Sequence, residues 1–279
     1  MKGFDPISYK KDDGLTLPDI GLWGIKKYKL FGSYCDIFTS GMKYKWDERV
    51  FIDLFSGAGY AKLRNDGKIL MTSSLIAASV PSKFTKYIAC DANEDNINSL
   101  KQRVEREFTT LDFNYFHGDA NKIVDKIIDA IPKGSKTLNF CFVDPFSLDI
   151  EFETIKKIAS MRRVDFLILL ALQMDANRNF VYYINEQSTK IDKFIGNTNW
   201  REPFKEGRIH QKDFIKYLAD SYDSNMKSIG YRVDPDLKFK IENTSNAPLY
   251  YLAYYSKSDV GNDFYKKVEK NQNAQMKMF

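Results

Sequence analysis

The seven residues Asp53-Leu54-Phe55-Ser56-Gly57-Ala58-Gly59 carry the densest local signal for chemistry in the chain. Two glycines one residue apart let the backbone turn sharply and allow a ligand to approach its N–H groups closely. A nicotinamide-dinucleotide fingerprint would place another Gly or Ala three residues on, where Lys62 stands, and no Walker-type lysine follows. Taken alone, the glycine pair also fits an ordinary tight turn.

Further stations follow in order. Asp91 closes a short apolar run, where a carboxylate can accept hydrogen bonds from both hydroxyls of a ribose; it can equally cap the next helix. It lies farther from Gly59 than the ~20 residues of the dinucleotide pattern, and the intervening 60–71 stretch accounts for the excess. Asp119, in Gly118-Asp119-Ala120-Asn121, can accept from an adenine amino group, cap a helix, or do both. Val143-Asp144-Pro145-Phe146 offers carbonyl and carboxylate oxygens to hold a nucleophile and an aromatic ring to stack on a flat substrate. The alternative is a proline turn with Phe146 in the core. Asp175, Asn177, Arg178 and Asn179, next to Gln173, form a polar cluster suited to substrate recognition, or else a solvated loop face. Trp200, Arg201, Phe204, Lys205 and Arg208 mix aromatics with bases; such a mix suits unstacked nucleic-acid bases but is more often a packing patch.

The elements that must position these residues alternate. Apolar residues at helical spacing over 23–38 predict a helix ended by Gly41. A strand is expected over 50–55, then a loop or hairpin over 60–71 turning at Asn65-Asp66-Gly67, and a short helix capped by Thr72. Strands over 86–90, 113–116, 138–143 and 165–172 are separated by helices whose apolar stripes contain Ile97 and Leu100, Val124 and Ile127, and Ile155 and Ile158. The 138–143 strand is apolar enough to be buried on both faces. This alternation predicts an α/β fold, a doubly wound Rossmann-like parallel sheet with right-handed crossovers. Beyond Leu172 the pattern breaks: 173–210 reads as an inserted lid or substrate-recognition segment. A helix stopped by Gly230, a hairpin of strands over 231–241 and 248–255 turning at 243–246, and a terminal helix through Phe264 and Val268 follow. One domain over 1–279, with 1–48 as an N-terminal helical extension, is the simplest organisation.

Composition narrows the class. Hydrophobic residues make up 43% and aromatics 15%, which excludes a disordered chain. A net charge of +5 and a pI near 8.8 permit nucleic-acid binding without demanding it. Cys35, Cys90 and Cys141 are widely spaced and, with only His117 and His210 as further soft ligands, make a zinc site unexpected. They fit buried thiols in a reducing compartment. Residues 1–14 have no apolar signal core and the longest apolar run, 166–172, is too short to span a bilayer, so a soluble, cytoplasmic protein is expected.

The four ordered stations together resemble class I S-adenosylmethionine-dependent methyltransferases. The chain is more specifically similar to the three-Cys-motif partner family, through FIDLFSGAGY at 51–60, SSLIA at 73–77, YIACDAN at 87–93 and HGDAN at 117–121. The likeness continues in FVDPF at 142–146, MDANRN at 174–179, KFIGNTNW at 193–200 and NAPLYYLAYYSK at 246–257, nearly the whole chain. It implies a seven-stranded methyltransferase sheet with an antiparallel C-terminal hairpin, S-adenosylmethionine as cofactor, and a partner protein with clustered cysteines, encoded nearby and similar to phage-type radical S-adenosylmethionine proteins. By the same resemblance Asp53, Gly57 and Gly59 hold the methionine part, Asp91 the ribose and Asp119 the adenine, with Phe55, Ala92 and Ala120 also binding the cofactor. Asp144, Pro145 and Phe146 fall where methyl transfer occurs. Two departures stand out. Amino-methyltransferases acting on adenine or cytosine carry Pro-Pro-Tyr/Phe after the acid, and one Pro is missing here. Cytosine-C5 enzymes use a Pro-Cys nucleophile, whereas Cys141 precedes Asp144 inside a strand. The expected function is methylation of nucleic acid or of something modified jointly with the partner. The alternatives are a non-catalytic cofactor-binding subunit and a plain nucleic-acid-binding module.

Overall fold

The computed structural model describes residues 4–161, 163–185, 188–234, 237–242 and 248–276. Two short strands, β1 (Tyr9–Lys10) and β2 (Asp19–Ile20), precede helix α1 (Trp23–Met42). Gly41 does not end that helix: it is exposed, and buried Met42 extends the apolar face past it. Strand β3 (Glu48–Asp53) leads through the hairpin β4 (Tyr60–Leu63) and β5 (Ile69–Met71) to α2 (Ser73–Ser79). Thr72 occupies the cap position of α2 in an extended conformation, but its hydroxyl caps nothing and is buried without a hydrogen-bond partner.

The alternation then runs as expected: β6 (Lys86–Asp91), α3 (Glu94–Glu107), β7 (Phe113–His117), α4 (Ala120–Asp129), β8 (Thr137–Val143), α5 (Phe152–Ser160) and β9 (Val164–Leu170). Strand β9 ends at Leu170, and the chain enters a π-helical turn, Leu172–Ala176. Short helices α6 (Phe180–Ile184), α7 (Lys190–Ile195) and α8 (Glu202–Lys205) lead to α9 (Phe214–Ser228). The last strands are β10 (Lys238–Glu242) and β11 (Pro248–Tyr255), before α10 (Asp259–Met276). Tyr231 lies outside β10: it is buried and its hydroxyl donates to the Val164 carbonyl at 3.0 Å. The turn expected at 243–246 lies outside the described residues.

Seven strands form the main sheet in the order β10-β11-β9-β8-β3-β6-β7. The five strands from β9 to β7 are mutually parallel, while β11 runs antiparallel to both β9 and β10. The doubly wound α/β sheet with its antiparallel C-terminal hairpin is therefore present. All seven residues of β8 and of β9 are buried, because helices cover both faces. Phe31, Phe38, Phe51, Phe84 and Phe140 cluster between α1 and the sheet with ring centroids 5.4–6.1 Å apart.

A second, four-stranded sheet, β1-β5-β4-β2, is built on the 60–71 hairpin. Two-residue strands are too short to show an alternation, so β1 and β2 carry no sequence signature.

Candidate functional site

In a doubly wound sheet the loops at the carboxyl ends of the parallel strands meet at a crevice where strand order reverses. Here that crevice, beside central β3, is a cleft of about 860 Å³. Phe55, Gly57, Asp91, Ala92, Asp119, Ala120, Asp144, Pro145 and Phe146 all line it. The two glycines of the first loop do different work. Both have positive φ, +61° at Gly57 and +86° at Gly59. A Cβ on Gly57 would meet nothing within 4 Å, so its backbone faces open space; one on Gly59 would come within 2.9 Å of Leu75 and Leu100. Gly59 therefore seats the loop on α2 and α3 and is not among the lining residues.

Asp91 does not cap α3; the Asn93 side chain does, accepting from the amides of Asp95 and Asn96. The Asp91 carboxylate instead accepts from the Gly57 amide at 2.8 Å, the Asn93 amide at 2.9 Å and the Asn96 side chain at 3.0 Å. It thus ties the glycine loop to the end of β6. Asp119 caps α4, accepting from the Asn121 amide at 3.0 Å, and still faces the cleft.

Asp53 lies beneath the loop, wholly buried and outside the lining. One carboxylate oxygen accepts from Ser74 Oγ at 2.8 Å, while the other has no hydrogen-bond partner. Burial pushes this carboxyl up to about 7, against the pull of the Ser74 hydroxyl.

Asp144 has a partner that the sequence reading missed. Lys27, on α1, places its Nζ 2.5 Å from Asp144 Oδ2, and both side chains are about 10% exposed. The ammonium also lies 4.6 Å from the centre of the Tyr28 ring. Burial works against the charge on Lys27, but the Asp144 carboxylate beside it more than restores it and holds the ammonium above the usual lysine range. The available signal was phase: Lys27 is four residues before Phe31 and seven before Tyr34, on the helix's buried stripe. Phe146 is not in the core; it is 82% exposed at the cleft. The second sheet supplies a wall containing Asp19, Ile20 and Arg64, alongside Trp23 of α1. The Arg64 guanidinium lies 5.9 Å from the Trp23 ring.

The 175–179 cluster lies outside the residues that line the cleft. Asp175 is buried and accepts from Ser147 Oγ, from Tyr183 at 2.7 Å, from Asn179 at 3.0 Å and from the Leu148 amide at 3.4 Å. Burial opposes its charge, but the Ser147, Tyr183 and Asn179 hydrogen bonds outweigh it and pull the carboxyl down to about 2. Asp175 thereby anchors the segment following Phe146. Asn177 and Arg178 are exposed. Trp200 is packed inside: its Nε1 donates to Asp192 at 2.6 Å, and Arg201 stacks on it while pairing with the same carboxylate.

Cys35, Cys90 and Cys141 are buried free thiols, and burial raises the Cys141 thiol well above its ordinary range. Among the described residues there is no cluster of three or more His, Cys, Asp or Glu able to hold a metal ion. No described helix is long and apolar enough to cross a membrane.

No family model matches the chain, and no curated protein matches it in sequence. Solved structures resemble it in fold. A Legionella pneumophila protein assigned to the family model DUF519 superposes with a TM-score of 0.51 at 8% identity, covering 86% of this chain and 89% of its own. The TYW2 protein of P. horikoshii, in complex with MeSAdo, gives 0.46 at 13% identity over 92% of this chain and 74% of its own. Magnesium protoporphyrin IX methyltransferase from Synechocystis, with bound SAH, gives 0.43 at 11% identity over 83% and 85%. At 8% identity the Legionella likeness is one of fold.

Proposed function

We propose that the cleft binds S-adenosylmethionine and that the chain is a methyltransferase of the class I type, similar to three-Cys-motif partner proteins. The observation that carries this reading is the ordered convergence of Gly57, Asp91, Asp119 and Asp144 on one cleft. The residues present fit the cofactor. The open space above Gly57 accepts a ligand against the backbone, and Asp91 and Asp119 supply acceptors for a ribose and an adenine amino group. When bound, S-adenosylmethionine supplies an electrophilic methyl group.

The chain's own contribution is positioning. Asp91 holds the glycine loop closed on β6, Asp119 stays fixed by the α4 amide it caps, and Asp175 anchors the segment after Phe146. The carboxylate of Asp144 and the carbonyl of Pro145 are acceptors for a nucleophile's N–H or O–H. An exposed Phe146 ring offers a face for a flat acceptor, which favours a nucleic-acid base. The sequence likeness supports joint action with a three-Cys-motif protein. The engagement of Asp144 by Lys27 favours one rival, a cofactor-binding subunit without transfer activity of its own.

Isothermal titration tests the cofactor. S-adenosylmethionine is expected to bind, and Asp91→Ala to weaken binding by about 1–3 kcal/mol, the size of a lost charge-assisted contact. Absence of binding heat in the wild-type protein would overturn the assignment. Transfer of a labelled methyl group to mixed nucleic acids, with and without a three-Cys-motif partner, separates the enzyme from the silent subunit.

A further inference from the structure

We propose that Lys27 is a positioning residue that neutralises the transfer end of the cleft, so that the site does not grip the cationic methyl donor more tightly than its neutral product. The inference rests on the S-adenosylmethionine reading above and goes beyond it by assigning α1 a part in the chemistry.

The geometry is specific. Lys27 reaches from the buried stripe of α1 to one oxygen, Oδ2, of Asp144, and both residues line the cleft. The ammonium rests over Tyr28, a further neutral wall, and Tyr250 stands close to the same pair. Asp53, a buried carboxyl that senses Asp144, is held by the Ser74 hydroxyl. With Lys27 in place the pair has no net charge, and Oδ1 of Asp144 stays available to an acceptor's N–H or O–H.

The consequence follows from the change of charge during transfer. The donor sulfur is a sulfonium before transfer and a neutral thioether after it. A bare carboxylate beside it would stabilise the charged ground state, and this stabilisation would fade as the charge is lost. Binding of that kind tightens the substrate complex without helping the reaction. Pairing Asp144 with Lys27 removes that penalty and keeps the hydrogen-bond acceptor.

The test compares affinities for S-adenosylmethionine and S-adenosylhomocysteine, measured by titration on the full chain. Lys27→Met leaves Asp144 uncompensated, and preference for the cationic ligand should rise by about tenfold or more, tenfold being the size of a unit-charge interaction largely screened by solvent. Asp144→Asn removes the anion and should shift the preference in the opposite direction. The double variant Lys27→Met/Asp144→Asn, neutral again, should return close to the wild-type ratio. A purely structural pair would change both affinities together and leave their ratio alone. Melting curves identify any variant that fails to fold, and Asp144→Asn then carries the test independently of Lys27→Met. An unchanged ratio, or a shift of the same sign in both single variants, overturns the inference while leaving cofactor binding intact. A wild-type protein that binds neither ligand overturns the cofactor reading itself.

Discussion

A single buried carboxylate away from the cleft makes the protein's stability depend on pH. Asp165, in β9, accepts from the Tyr254 hydroxyl at 2.9 Å, and the Tyr34 hydroxyl lies 2.6 Å from that of Tyr254. Burial pushes the Asp165 carboxyl up to about 6, against the pull of Ser256, Tyr254 and Tyr34. A carboxyl whose folded value exceeds its unfolded one binds a proton on folding, so its contribution to stability falls as pH rises between about 4 and 6, then levels off. Asp165→Asn lacks this dependence. Its melting temperature relative to wild type should climb between pH 4 and 6 by an amount equivalent to roughly 2–3 kcal/mol, readable by scanning calorimetry; a constant difference across that range would be the contrary result. At this scale the sequence was legible wherever a residue acts close to where it stands. Gly57 and Asp91 announce themselves at strand ends. Lys27, Asp13 and Arg103 do not, because their partners Asp144, Asp13's own arginines and the Ala58 carbonyl lie 45 to 117 residues away.

Among the elements, long apolar strands could be read directly: β8 and β9 have no exposed face, so their composition alone identifies them. The second sheet could be read only in part: its 60–71 hairpin falls where a loop or hairpin was expected, while its two-residue edge strands show no alternation. Arg103 of α3 is fully buried; it donates to Asp13 at 2.6 and 2.9 Å, to the Thr16 carbonyl at 3.0 Å and to the Ala58 carbonyl at 2.7 Å. Its guanidinium stacks 4.3 Å from the Tyr60 ring. One side chain thus joins the 13–16 arm to the glycine loop. Removing the Arg103 guanidinium leaves Asp13 paired with Arg106 alone and takes the donor from the buried Ala58 carbonyl, which typically costs about 1–3 kcal/mol. Arg103→Met should lose stability on that scale in denaturant titrations and speed hydrogen exchange at both 9–20 and 57–60. Loss of stability without faster exchange at 57–60 would mean that Arg103 does not brace the loop. The Arg103 and Arg106 hydrogen bonds hold the Asp13 carboxyl well below its usual range, so the stability this cluster contributes is present at neutral pH and lost on acidification.

Across the whole molecule, the 173–210 segment, expected as one inserted lid, divides into two parts by packing. Ile191, Phe194, Ile195 and Trp200 are buried, with Asp192 gripping Trp200 and Arg201, whereas Asn177, Arg178, Val181 and Tyr182 are exposed. Amides of 190–201 should therefore exchange more slowly than those of 177–182, and if the segment closes on ligand, the added protection belongs to the latter. Equal rates throughout would show that the burial is not reflected in local stability. The second sheet has a different consequence, for the order in which the site is made during synthesis. Residues 9–20 emerge from the ribosome early, yet the strands they pair with, β4 and β5, and the arginine that clasps them come some 40 to 90 residues later. This wall of the cleft is therefore translated well before the residues that fasten it. A bulky domain placed directly ahead of residue 9 would load a piece of the site that has to wait for its partners.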